Sequence, residues 1–159
     1  MSTAIKEAFN AAFAAASTKE RKTIDRLLAR VNATDIQHSS VKGYDRWDSK
    51  FTVGDVSYVV EIKCRNVRHD AYTETLIEKS KVMAMREMAK KEGREPILII
   101  NFTDDVCFQF NLNDSAIDKL GVKSMYCNAT TAVQTARIEK QVYLLPFSLG
   151  KRIDLNTTN

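Results

Sequence analysis

The sequence predicts an α/β chain with a mixed central sheet flanked by helices, and three features carry that reading. Apolar residues recur at helical spacing near the N-terminus. A period-two segment broken by Gly54-Asp55 follows, and beyond a second amphipathic stretch comes the unbroken apolar run Ile97, Leu98, Ile99 and Ile100. The 159 residues, 44% apolar and 28% charged, suit one compact domain over residues 1–159 and exclude a disordered or low-complexity chain.

Ile5, Ala8, Phe9, Ala12, Phe13 and Ala16, then Ile24, Leu27, Leu28 and Val31, predict one or two N-terminal helices. Ser17 with Glu20 fits a capping box that would start a second helix; a continuous helix would instead put Glu20 in line with Ala16 and Ile24. Trp47, Phe51, Val53, Val56, Tyr58 and Val60 predict antiparallel strands over 46–53 and 56–64 joined by a tight turn. Residues 73–92 read as an amphipathic helix ending before Gly93, with Leu76, Ile77, Met83, Ala84 and Met88 available to the core. Pro96 opens a buried strand, so strand, helix and strand form a right-handed crossover. Val106 to Leu112 is a further strand reached through Asp104-Asp105, and Asp114 to Leu120 a short capped helix. Residues 122–139 carry no clear pattern, and Val142 to Phe147 reads as an edge strand because Pro146 cannot donate to a ladder.

Charge and cysteine usage narrow the setting. Of the net +4, the whole excess falls between residues 63 and 94, where nine Lys or Arg face five acids, which mildly favours a polyanionic partner. Cys64, Cys107 and Cys127 are odd in number and widely spaced, which suits reduced thiols rather than disulfides or a zinc knuckle. No apolar run is long enough to cross a membrane, and a soluble, intracellular protein without a membrane partner is expected.

A two-residue turn at Gly54-Asp55 places Asp48 opposite Glu61, with Lys63 two residues along the same strand face as Val59. Tyr58, Val60, Ile62, Trp47 and Phe51 then point to the other face. Opposed carboxylates repel and call for a positive charge. A divalent cation held by Asp48, Glu61 and the main-chain carbonyl of Ile62 would meet that need, with Lys63 placing or deprotonating a water or steadying charge on a phosphate. Without such a cation the same residues make a charge ladder on a solvated sheet face, with Lys50 and Arg46 nearby. Asp45 competes for the first acid, but its odd offset puts it on the opposite face.

Asp48, the hairpin, and Glu61-Ile62-Lys63 before a helix and a buried strand resemble the PD-(D/E)XK nuclease superfamily. The segment Tyr44 to Lys81 is similar to small phage and bacterial members. The resemblance implies a restriction-endonuclease-like αβββαβ core over about residues 18–103, leaving 104–159 as a C-terminal extension. It also implies that Asp48 and Glu61 bind metal, that Lys63 is the catalytic lysine, that Glu20 adds an acid from the first helix, and that Glu78 or Lys79 is the polar residue of the later helix. The expected activity is Mg2+- or Mn2+-dependent endonucleolytic hydrolysis of phosphodiester bonds, in DNA rather than RNA, serving recombination, repair or restriction. The setting would be the cytoplasm of a bacterial cell or phage-infected host.

Arg65, Arg68, Tyr72, Lys79 and Lys81 follow the motif and are candidates for gripping nucleic acid. A homodimer would suit paired cuts. His38 and His69 fall in expected loops without a partner at catalytic spacing. The competing function is a nucleic-acid-binding or assembly module that keeps the fold and has lost turnover.

Overall fold

The computed structural model describes residues 3–40, 45–128 and 136–157, without the side chains of residues 5, 9, 12, 13 and 16. Tyr44, the start of the motif segment, and the apolar stripe at Ile5, Phe9, Ala12, Phe13 and Ala16 therefore lie outside the described residues and side chains.

The first helix, α1 (Thr3–Arg30), runs unbroken through Ser17, so no capping box starts a second one. Hydroxyls that disfavour a helix interior are absorbed within it: Thr18 Oγ1 donates to the Ala14 carbonyl and Thr23 Oγ1 to that of Lys19. The chain continues through β1 (Thr34–His38), β2 (Ser49–Val53), β3 (Val56–Cys64), β4 (Glu74–Glu78) and α2 (Lys79–Glu92) to β5 (Glu95–Asn101). Then come β6 (Val106–Asn111), α3 (Ser115–Lys119, capped by Asp114), β7 (Lys123–Asn128), β8 (Arg137–Pro146) and β9 (Lys151–Asp154). Among the described residues six strands form a mixed sheet ordered β1-β2-β3-β5-β6-β9, parallel only between β3 and β5. This contains the expected αβββαβ order, with β4 inserted between β3 and α2.

Three elements differ from expectation. Residues 74–78, read as helix, are strand β4 in a second sheet ordered β4-β8-β7. Pairing with β8 overrides local propensity, and burial of Thr75 and Ile77 follows a period of two. The helix therefore starts later and in another phase, burying Val82, Met85 and Ala89 and leaving Met83 exposed. β8 is the central strand of its sheet, not an edge, and Pro146 is tolerated as its last residue. The patternless stretch holds β7 and the start of β8.

Both faces of the large sheet are covered. Ile24, Leu27 and Leu28 of α1 meet Phe51, Val60, Ile62, Ile97 and Ile99 on one side. Val59, Leu98 and Ile100 meet Val82, Met85 and Ala89 of α2, with Ile77, Tyr143 and Leu145 of the second sheet, on the other. The face carrying Glu61 and Lys63 is thus no open, solvated one. Trp47 also packs with this second cluster, opposite to its expected side, because it precedes the point where ladder alternation begins. Its ring lies 4.2 Å beneath the Lys50 ammonium, which pairs with Glu92 at 2.9 Å.

The β2–β3 register is the expected one, from Val53↔Val56 to Ser49↔Val60. Gly54 at the turn has φ +59° while Asp55 does not share a positive φ, the pattern of a type II′ turn that fits the strand twist. No neighbour would obstruct a Cβ there, so the cost of one is in the backbone alone. Gly54→Ala is expected to destabilise the protein by about 1–2 kcal/mol in urea unfolding; unchanged stability would show that this turn does not pin the register.

Candidate active site

The ladder register extrapolates to Asp48 opposite Glu61, but the chain departs from it at that residue. Asp48 N–H donates to the Val60 carbonyl at 2.8 Å, although Val60 already faces Ser49. Two residues opposing one make a β-bulge, which turns Asp48 off the ladder. Its Oδ2 accepts the Ile62 N–H at 2.7 Å, where the next β2 carbonyl would otherwise stand. N–H and C=O of one strand residue point the same way, so the Ile62 carbonyl is directed past the end of β2 as well. The Asp48 carbonyl is held in turn by Ser39 N–H at 2.9 Å.

Among the described residues Glu61 is the most enclosed charge, its side chain 5% exposed. Its Oε1 lies 3.1 Å from Lys63 Nζ and its Oε2 3.2 Å from Lys81 Nζ. Lys81, on the first turn of α2, also donates to the Arg46 carbonyl at 3.2 Å. Glu20 stands close enough for its charge to be felt by Lys63, Glu61 and Asp48. The helix that carries it is set by Thr23, one turn on, whose Oγ1 accepts from buried Asn101 Nδ2 at 3.0 Å. Cys107 Sγ in turn contacts Asn101 Oδ1 at 3.2 Å.

Burial, and after it the neighbouring acids, disfavour the ionised forms of Asp48 and Glu20. Burial pushes Asp48 up from the ordinary 3.8 to about 7; the negative charges of Glu61 and Glu20 add to this, and the Ile62 N–H resists it. Glu20 likewise rises to about 7, through burial first and against the pull of Lys63. For Lys63, burial disfavours the ammonium, but Glu61, then Glu20 and Asp48, outweigh it and hold the amine above its usual range. Lys63 is a cation at neutral pH. Burial lowers Arg65, although Glu20 partly restores it.

Of the residues expected to grip nucleic acid, Lys81 instead neutralises Glu61. Arg65 is half-buried at the Glu20 end of the cluster. Arg68 is exposed and leans on Asp70 and Asp104, Tyr72 is exposed, and Lys79 is half-buried at the start of α2. Glu78 is paired with Lys140. Much of the local basic excess is thus spent on internal pairs, Arg86 with Asp118 among them. Both histidines have carboxylate partners that spacing did not reveal. His38, at the end of β1, pairs with Asp25 and Ser49, and His69 with Asp104, tying the loop after β3 to the β5–β6 turn.

The αβββαβ core, with Asp48, Glu61 and Lys63 brought together towards the end of β3, has the architecture of the PD-(D/E)XK nucleases. The chain belongs to the family described as "Phage putative PDDEXK endonuclease", which it matches over residues 11–124. It is also similar in fold to Hjc of Archaeoglobus fulgidus, a Holliday junction resolvase from an archaeal hyperthermophile. That similarity has a TM-score of 0.53 at 14% identity and covers 85% of this chain and 92% of the other. No curated protein matches. Among the described residues, no helix is long and apolar enough to cross a membrane.

Asp48→Asn keeps an oxygen for the Ile62 N–H and removes the charge. Because the folded carboxyl, near 7, lies above its unfolded value, the stability it contributes is complete below about pH 4 and is lost as pH rises through 7. Without divalent cations the variant should be more stable than the parent at pH 8, by roughly 1–3 kcal/mol, and equal to it near pH 4. Thermal unfolding at both pH values checks this; a less stable variant at pH 8 would contradict it.

Proposed function

We propose that the chain is a divalent-metal-dependent endonuclease hydrolysing DNA at the end of β3. The observation that carries this reading is the buried Glu61 carboxylate, gathered with Asp48 and Glu20 at a strand end and compensated by Lys63 and Lys81. Among the described residues no three His, Cys, Asp or Glu side chains are grouped as ligands of one ion. The donor set nevertheless suits a hard cation: carboxylate oxygens from Asp48, Glu61 and Glu20, and a carbonyl aimed past the strand end. Asp48, Glu61 and the Ile62 carbonyl would hold the ion, with Glu20 from α1.

When bound, Mg2+ or Mn2+ supplies Lewis-acid polarisation of a phosphate and neutralises the carboxylates. Lys63, whose Nζ lies 3.1 Å from Glu61 Oε1, is suited to steadying negative charge that develops on the phosphate oxygens. Lys81 keeps Glu61 oriented from the helix side, while Asp48 is fixed by its own main chain and by Ile62. Arg65, Arg68 and Tyr72 occupy the loop after β3, where the strand leaves the site, and are suited to phosphate or base contact.

The test is incubation with linear, nicked, branched and single-stranded DNA, and with RNA, in Mg2+ or Mn2+. Lys63→Ala and Asp48→Asn should each lower cleavage at least about 100-fold. Undiminished cleavage by both variants would overturn the site, and binding without cleavage by the parent would make the chain a fold-retaining binding module.

A further inference from the structure

The family match ends at residue 124, so nearly all of the β7–β8 ribbon lies beyond it. β4 pairs with β8 only at residues 142–146, whereas β7 pairs with residues 137–142. Residues 137–141 of β8 therefore continue past the end of β4 with β7 beside them, a two-stranded ribbon about 17 Å long. Its root is fixed at the site: Glu78, the last residue of β4, faces Val142 and pairs with Lys140. Lys81, one helical turn along α2, holds Glu61.

A ribbon with no core beneath it is marginal alone, and this one exposes Met125, Tyr126 and Ile138. Tyr126 is 63% exposed. Lys123 and Arg137 are exposed too, and between residues 122 and 142 three basic residues accompany a single acid, Glu139. That acid accepts from Ser124 Oγ at 2.7 Å. Arg137 spends one N–H on the Tyr126 carbonyl at 2.6 Å, leaving others on its five-donor guanidinium. Lys140 is taken up by Glu78 and Glu139 offsets one further base, so the remaining excess is carried by exposed Lys123 at the root of the ribbon and Arg137 at its far end, where it attracts phosphates. A two-stranded ribbon also has the width that a duplex major groove admits.

We propose that the β7–β8 ribbon is the duplex-binding arm of this nuclease, lying in a groove beside the scissile bond. Lys123 and Arg137 meet backbone phosphates, and Tyr126 packs on sugar and base edges. The inference rests on the nucleolytic reading above and names the element that presents the substrate to that site.

The test is binding of fluorescently labelled duplex and four-way branched DNA by the full chain in EDTA, where cleavage is suppressed, followed by anisotropy. Lys123→Ala/Arg137→Ala should weaken binding at least tenfold and flatten the log affinity against log salt slope by about 1.8, two phosphate contacts at about 0.9 each. Tyr126→Ala should weaken it about fivefold or more. Lys90→Ala/Lys91→Ala, with the same net charge change on the exposed end of α2, should stay within about twofold of the parent. Equal weakening in both double variants, no binding by the parent, or ribbon variants that alter sedimentation but not binding would overturn the proposal. Ribbon-dependent binding with no cleavage in Mg2+ would support the arm while sinking the catalytic reading.

Discussion

A carboxylate almost wholly removed from water has to be neutralised where it stands, because moving it into a low-dielectric interior costs several kcal/mol, and Glu61 is such a group. Its position on β3 between Val60 and Ile62, both packed under α1, prevents it from swinging out to solvent. The neighbourhood answers from two directions, Lys63 along the same strand and Lys81 from the first turn of α2. The crossover that brings α2 against the sheet is therefore also the source of the second compensating charge.

The bulge before β2 follows from the same constraint. A regular ladder would have set Asp48 directly against Glu61, side chain to side chain. The observed chain instead sends the Asp48 carboxylate to the Ile62 N–H, a neutral donor that resists its protonation without cancelling its charge. Glu20 enters from α1, whose rotation is set by Thr23 and Asn101. The cluster remains short of fully compensated: Asp48 and Glu20 are both held at about 7, by burial first.

That Asp48 would come close to Glu61 and Lys63 was legible because hairpin register follows from turn length and Gly54-Asp55 identifies the turn, although the bulge that displaces Asp48 from the ladder was not. What could not be read was anything that depended on distant partners. β4 became a strand because β8 supplied a ladder, so Met83 left the core and Lys81 reached Glu61. Asn101 is an ordinary polar residue in sequence, distinguished only by its burial beside Thr23 and Cys107. Residues 122–139 lacked a pattern because the ribbon is exposed on both faces over most of its length, leaving no apolar alternation for a strand to display.

The central claim is that the carboxylates around Glu61 form the seat of a divalent cation. Calorimetric titration of the full chain with Mn2+, without nucleic acid, tests it most directly. The parent should bind the ion, and Asp48→Asn should bind it at least tenfold more weakly, about 1.4 kcal/mol. Equal affinity in the two proteins, or no binding by the parent, would contradict the account.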